Sequence, residues 1–219
     1  MKTAVIGVGN IGSALARNLV RGGEQVVLAA RDQSHADELA NELGDHAAAA
    51  PVREAIVGAD VVILAIWLDQ MRALVPEIAD LLEGKVVVDP SNPIGYDEKG
   101  ESIRTVPDRT SAGSVVAGLI PAGARYVKAF GSLGAPSLAG EANREPRRAV
   151  LFYATDDDAA AAAIERLIAA AGFDAVKAGG VDDAGRIEVP GGDLHQHGGL
   201  NGNVVDLDEA RSAVAATAV

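Results

Sequence analysis

The sequence has no cysteine among its 219 residues. That excludes disulfides, thiolate nucleophiles and cysteine-held metals, and leaves the redox compartment open on that count. Positive charge is also scarce: 19 Lys and Arg stand against 31 Asp and Glu, a formal net charge of −12. Such a surface disfavours nucleic acid and anionic membranes, so neither is an expected partner. An anionic cofactor must then be held by local groups. Long hydrophobic runs are missing too. The longest, Val61 to Leu68, is far too short to span a bilayer. There is no internal repeat, no Tyr-x-x-x-Lys pair, and no Ser/His/Asp arrangement. The first strand is expected to start at Lys2 with no signal peptide before it, which points to a soluble, cytoplasmic protein.

What is present is an alternation of short apolar runs and amphipathic stretches. Hydrophobic residues make up 48% of the chain, enough for one sizeable core and a small appendage. Ala4-Val5-Ile6 reads as a strand, and Ile11, Leu15 and Leu19 recur every four residues as one face of a helix. Between them lie Gly7, Gly9 and Gly12 in G-x-G-x-x-G spacing, within the run Gly7-Val8-Gly9-Asn10-Ile11-Gly12. Each glycine has its own task. Gly7 allows a tight turn, Gly9 lets backbone approach a pyrophosphate, and Gly12 lets helix and strand pack closely. The helix start then offers N–H groups and a positive dipole end to phosphates. A glycine-rich turn alone is weak evidence. Its place between a strand and a helix makes dinucleotide binding the reading to prefer over a purely structural turn.

The same alternation continues along the chain. Strands are expected at 25–30, 47–50, 61–66, 85–88, 126–130, 150–154 and 173–177. Helices are expected from an N-cap at Ser34 to Leu43, from Pro51 to Val57, from Asp69 to Leu82, and over an alanine-rich stretch that Asp156-Asp157-Asp158 caps. A further helix is expected near 114–120, and residues 92–110 read as a loop. This pattern predicts an α/β fold: a doubly wound, mostly parallel sheet of Rossmann type. Residues 1–180 form the expected dinucleotide-binding domain. Residues 181–219 read as a glycine-rich C-terminal extension ending in a short acidic helix from Asp206 to Ala216. This extension either packs over the sheet or reaches a neighbouring subunit, and a homodimer is one partner arrangement it allows.

Cofactor choice is read at the end of the second strand, where NAD sites carry an acid and NADP sites an Arg. Here Ala30-Arg31-Asp32-Gln33-Ser34-His35 stands. Arg31 is the candidate for a 2′-phosphate, with Ser34 and His35 as further donors, so NADP(H) is expected. The plainer alternative has Arg31 as a solvated loop cation paired with Asp32. Ala65-Ile66-Trp67, after the fourth strand, should lie beside the nicotinamide half, with Trp67 either walling the pocket or filling the core. His195 and His197 flank Gln196 and could aim at one ligand. A metal would need a third donor, for which Asp193 and Asp206 are the only nearby candidates, and no metal site is expected. His195 could instead serve a substrate-pocket lid or donate a proton.

Gly7 to Gly12, Ala30-Arg31, Ala65-Ile66-Trp67, Pro90-Ser91-Asn92-Pro93 and Val127-Lys128-Ala129-Phe130 together resemble the deazaflavin-dependent NADP reductases, which pass hydride between NADP and coenzyme F420. The resemblance covers roughly residues 1–180. Its wider superfamily includes pyrroline-carboxylate reductases and the flavin-reducing domains of membrane metalloreductases. It implies cofactor contacts along Gly7, Val8, Gly9, Asn10, Ile11 and Gly12, and a 2′-phosphate at Arg31 with Ala30, Ser34 and His35 around it. It further implies a nicotinamide pocket near Ala65, Ile66, Trp67, Gln70, Asn92, Pro93 and Ala135. The acceptor is expected near Phe130, Ser132, Leu133 and His195, with Arg125, Lys128 and Arg186 as the nearest cations for an anionic tail. No catalytic side chain is assigned. Residues 186–195 and the glycine-rich stretch after them depart from the family, whose members end in a long apolar helix. The small-molecule hydride acceptor therefore stays open between a deazaflavin, a flavin, and a small imine or carbonyl. A non-catalytic NADP-binding sensor is the alternative from another class.

Overall fold

In the computed structural model, which describes residues 1–216, the apolar runs become the strands of one eight-stranded sheet. They are β1 (Lys2–Ile6), β2 (Gln25–Ala29), β3 (Ala47–Ala49), β4 (Val61–Leu64), β5 (Val86–Asp89), β8 (Arg125–Ala129), β9 (Val150–Ala154) and β10 (Asp174–Gly179). Their order across the sheet is β10-β9-β8-β5-β4-β1-β2-β3. The six strands from β3 to β8 run parallel, and β9 turns antiparallel to β8, with β10 parallel to β9. The chain leaves β1 in one direction to β2 and β3, then returns to β4 on β1's other side. That reversal opens a crevice outside the carboxyl ends of β1 and β4, where such sheets take ligands.

Burial on both faces explains the unbroken apolar runs. In β4, Val61 and Ile63 join one core layer with Leu15, Leu19 and Ile164, while Val62 and Leu64 join the other with Met71, Val75 and Ile78. The helices supply these faces: α1 (Asn10–Arg21), α2 (Gln33–Leu43), α3 (Val52–Val57), α4 (Leu68–Leu82), α5 (Ala112–Ala117), α6 (Ala135–Gly140), α7 (Asp158–Ala170) and α8 (Leu207–Ala216). The start of α2 corrects the expectation of a Ser34 cap. Asp32 is the N-cap, and its carboxylate accepts from the Ser34 backbone N–H at 3.1 Å and from the Ser34 hydroxyl at 2.7 Å.

A hairpin and a short helix escape the sequence pattern. Residues 92–110 contain an antiparallel hairpin, β6 (Ile94–Tyr96) and β7 (Ser102–Arg104), and α6 follows β8. The hairpin reads as loop because its turn is all polar: Asp97 accepts from the Lys99 and Glu101 N–H groups, and Gly100 takes φ +79°. The extension packs over the sheet within this chain. Ile187, Leu194 and Ala210 form a third apolar cluster with Val150, Phe152 and Val176 of β9 and β10. Residues 217–219 of the expected extension lie outside the described residues.

Candidate functional site

The glycine turn follows from three different local environments. Gly7 takes φ +99°, and a Cβ there would fall 2.3 Å from the Ala65 carbonyl oxygen, so the turn and the end of β4 touch backbone to backbone. A Cβ on Gly12 would lie 1.9 Å from the Gly7 oxygen, which is the close packing of α1 on the turn. Gly9 is the opposite case. Nothing lies within 4 Å of where its Cβ would be. Gly9 is also the N-cap of α1, and no side chain caps that helix. An open approach in front of uncapped helical N–H groups fits a pyrophosphate by size and by charge. Val8 and Ile11 are half-buried around the turn, and Asn10 is exposed.

At the end of β2, Arg31 is exposed, and among the described residues it makes no ion pair. Asp32 does not claim it, because that carboxylate is occupied by Ser34, whose two hydrogen bonds lower its pKa. This replaces the Arg31–Asp32 pair considered from the sequence. Ser34 spends its hydroxyl on the cap. Ala30 is half-buried and His35 exposed beside it.

The carboxyl ends of β4, β5 and β8 hold the residues read as the nicotinamide pocket. Ala65 and Ile66 are half-buried next to Gly7. Trp67 is half exposed, at 50%, and is not core; its ring meets that of Tyr96 edge to face. Gln70 accepts from the Trp67 N–H at 3.2 Å and fixes the start of α4. Asn92 bridges two segments, donating to the Gly131 carbonyl at 3.1 Å and accepting from the Val189 N–H at 2.8 Å. Pro93 is buried behind it, and Ala135 opens α6 in a half-buried position. Phe130, Ser132, Leu133 and His195 are all buried. Phe130 holds a left-handed φ of 66° there, a strained backbone of the kind that collects near binding sites.

Residues 2–93, which contain the turn, Arg31 and the ends of β4 and β5, match the model of the family described as NADP oxidoreductase, coenzyme F420-dependent. The F420-dependent NADP reductase of Methanothermobacter thermautotrophicus is 29% identical over 199 residues, covering 86% of this chain and 85% of the relative. The chain is similar to this family through its first 93 residues and to this relative over most of its length. Among solved structures, a hypothetical protein of Sinorhizobium meliloti superposes with a TM-score of 0.77 at 30% identity, covering 87% of this chain and 91% of the other. A structure described as a putative F420-dependent NADP reductase from Arthrobacter sp. FB24 shares the fold, with a TM-score of 0.72 at 24% identity over 84% and 87% of the two chains. The chain is an NADP-dependent oxidoreductase.

The end of β5, β8 and the extension together build a buried charge network that was not read from the sequence. Asp89, Lys128 and Glu188 are at most 2% exposed. The Lys128 ammonium lies 3.0 Å from Asp89 and 3.1 Å from Glu188, and it also donates to the Ser91 carbonyl. The Tyr126 hydroxyl donates to Asp89 at 2.8 Å; burial first, and then that carboxylate, raise the phenol's pKa well above its ordinary value. Glu188 accepts from the N–H groups of Ala112 and Gly113, capping α5 from the extension. Lys128 therefore cannot meet an anionic tail. Arg186 is paired with Asp193 at 2.9 Å and Arg125 with Asp157 at 3.5 Å, which withdraws the other two cations proposed for that task. The available signal was a charged residue inside each of two apolar strands, at positions 89 and 128, which the register sets side by side.

The histidine segment is equally tied. His195 is 2% exposed; burial, and then the charge of His197, push its pKa down to about 4, against a hydrogen bond to the Gly131 backbone. Its Nδ1 accepts from the His197 N–H at 2.9 Å. Gln196 accepts from the Gly134 N–H at 2.9 Å, donates to the Ser137 hydroxyl at 2.8 Å, and its own N–H reaches the Ser132 carbonyl at 2.9 Å. The segment braces the loop between β8 and α6 from below. Asp206 is paired with Arg147, so neither nearby acid stands ready beside the two histidines.

Proposed function

We propose that this protein transfers a hydride between NADP(H) and a planar deazaflavin of the F420 type, in the cytoplasm and as a homodimer. The observation that carries the reading is the open turn at Gly9 before an uncapped helix, beside an Arg31 that forms no ion pair among the described residues, in a chain similar to this family. In this reading residues 1–180 are the cofactor-binding domain, and residues 181–219 are an extension that supports it. The N–H groups of Asn10, Ile11 and Gly12 hold the pyrophosphate, and the Arg31 guanidinium neutralises the 2′-phosphate with His35 beside it. Ile66 and Trp67 border the nicotinamide on one side, and Asn92, Pro93 and Ala135 on the other.

The bound nicotinamide supplies the hydride, so the chain needs no nucleophile of its own. Its contribution is orientation: the donor and acceptor carbons must be held in van der Waals contact with their rings roughly parallel. The decisive experiment uses NADPH deuterated on each nicotinamide face in turn, with F420, FMN and a cyclic imine as acceptors. The expected result is stereospecific transfer of label from one face into reduced F420. Reduction of the imine alone would reassign the enzyme to imine or carbonyl chemistry. Tight NADPH binding with no turnover on any acceptor would make it a sensor.

A further inference from the structure

The chain passes from β8 to α6 through residues 130–134, and this loop is gripped from two sides. On the side of β5, Asn92 donates to the Gly131 carbonyl at 3.1 Å, and a Cβ on Gly131 would fall 2.5 Å from the Pro90 oxygen. On the other side stands the extension. The Gln196 N–H donates to the Ser132 carbonyl at 2.9 Å, and its side-chain oxygen accepts from the Gly134 N–H at 2.9 Å. The amide nitrogen of the same side chain donates to the Ser137 hydroxyl at 2.8 Å and to the Gly202 carbonyl at 3.2 Å. One residue thus joins the loop, its exit and the first turn of α6.

These bonds have no local substitute. Gly134 is the N-cap of α6 and brings no side chain, and Pro136 in the first turn has no N–H. Helices ordinarily draw a cap from their own Ser, Thr, Asn or Asp. Here the carboxamide arrives from 62 positions further along the chain. It is also firmly seated. Gln196 is 5% exposed, Leu194 before it is fully buried, and the stretch ahead is fixed by the Arg186–Asp193 pair at 2.9 Å. A buried amide engaged at both ends has little freedom to turn, so it transmits position. Position is what a hydride donor needs, since a displacement of about 1 Å costs about a hundredfold in rate.

We propose that Gln196 is a positioning residue for the nicotinamide ring, acting through Gly134 and Ala135 and touching neither cofactor nor acceptor. The proposal rests on the placing of the nicotinamide against Ala135 in the reading above. Gln196 sets where Ala135 stands, and the ring packs against Ala135. The phosphates lie on other elements, at the start of α1 and after β2, to which Gln196 makes no hydrogen bond among the described residues. Loss of its amide therefore separates the two halves of the cofactor.

The test uses the full chain with Gln196→Leu, which is close in volume and removes both ends of the amide. Ser137→Ala removes one partner from a half-buried position, and serves if the first variant is too unstable to study. Asn203→Ala is the control, an exposed residue of the same extension whose side chain bonds Leu200 within it. Dissociation constants are measured for NADPH and for 2′-phospho-ADP-ribose, which lacks the nicotinamide, together with the single-turnover rate of hydride transfer to F420. Gln196→Leu should weaken NADPH about fivefold, the worth of one lost hydrogen bond, and leave the nicotinamide-free fragment within about twofold. Hydride transfer should slow about thirtyfold or more. Ser137→Ala should show the same pattern at about threefold, and Asn203→Ala none of it. If both ligands weaken alike, or neither does and the rate holds, Gln196 is scaffold only and the proposal is overturned. If wild-type protein reduces no acceptor, the hydride-transfer reading falls, and the two constants alone decide the positioning.

Discussion

At the carboxyl ends of β1 and β2, polar groups stand idle among the described residues: α1 begins without a side-chain cap, the space before Gly9 is open, and Arg31 pairs with no acid. At the corresponding ends of β5 and β8 the opposite holds. Lys128 has two carboxylates, Glu188 has two backbone donors, and Gln196 uses both ends of its amide. A folded chain leaves polar groups unsatisfied only where water or a ligand will meet them, and it pairs the ones it buries. The first region is therefore open to water or to a ligand. The second is scaffold, although its residues are the more reactive types. Charge alone would have ranked the two the other way.

The contrast breaks most easily at Lys128. Lys128→Met removes the one cation from a pocket that keeps two buried carboxylates, and breaking such a pair costs about 3–5 kcal/mol. The fall should appear in the urea midpoint at neutral pH. A midpoint within error of wild type would mean that water reaches the network, and that this end is not the saturated scaffold described.

Arg31 probes the idle end. Arg31→Ala should leave the urea midpoint unchanged and weaken NADPH by about 1.5–3 kcal/mol, the range of a charge-assisted hydrogen bond. NADH binding should change little. Equal losses for the two cofactors in a calorimetric titration would take Arg31 out of the site.

His195 sharpens the same contrast through pH. Its folded pKa, about 4, lies below the unfolded value of about 6.5. The unfolded chain thus takes up the proton first, and stability falls as pH drops from about 6.5 to 4, then levels. The loss should be on the order of 2 kcal/mol, part of the shift being screened by nearby solvent. The test is the difference between wild type and His195→Asn across that window. Parallel curves would show that the imidazole charges freely inside the brace.

What could be read in the chain divides along the same line. The glycine turn and the β–α alternation through Asp89 are local patterns, carried by residues three or four apart, and they read directly. The buried network is not local. Asp89, Lys128 and Glu188 are dozens of positions apart, and only the strand register and the folded-back extension bring them together. Lys128 therefore read as a cation available to an anionic tail. The hairpin at 94–104 and the one-turn helix at 135–140 were lost for another reason: three- and six-residue elements carry too little periodicity to stand out from turn-rich sequence. His195 and Gln196 lie among glycines, in a stretch that read only as a glycine-rich extension. The same glycines instead let backbone pack on backbone, as where a Cβ on Gly198 would meet the Gly192 oxygen at 2.2 Å.

The smallest expected effect tests the point at which the two ends nearly meet in kind. Asp32 is an acid at the idle end, and an acid there ordinarily repels a 2′-phosphate. In this chain its carboxylate is engaged by the Ser34 N–H and hydroxyl, which lower its pKa. Asn is as good an N-cap as Asp, so Asp32→Asn should keep α2 while removing the charge. The group is exposed, and repulsion across solvent is weak and screened by salt. NADPH affinity should therefore rise by less than about threefold at low salt, the gain should vanish at about 0.5 M salt, and NADH should not respond. A tenfold or salt-resistant gain would place the Asp32 carboxylate against the 2′-phosphate. The cap would then not be its main occupation, and one group at the open end would be opposing the ligand that the others are arranged to bind.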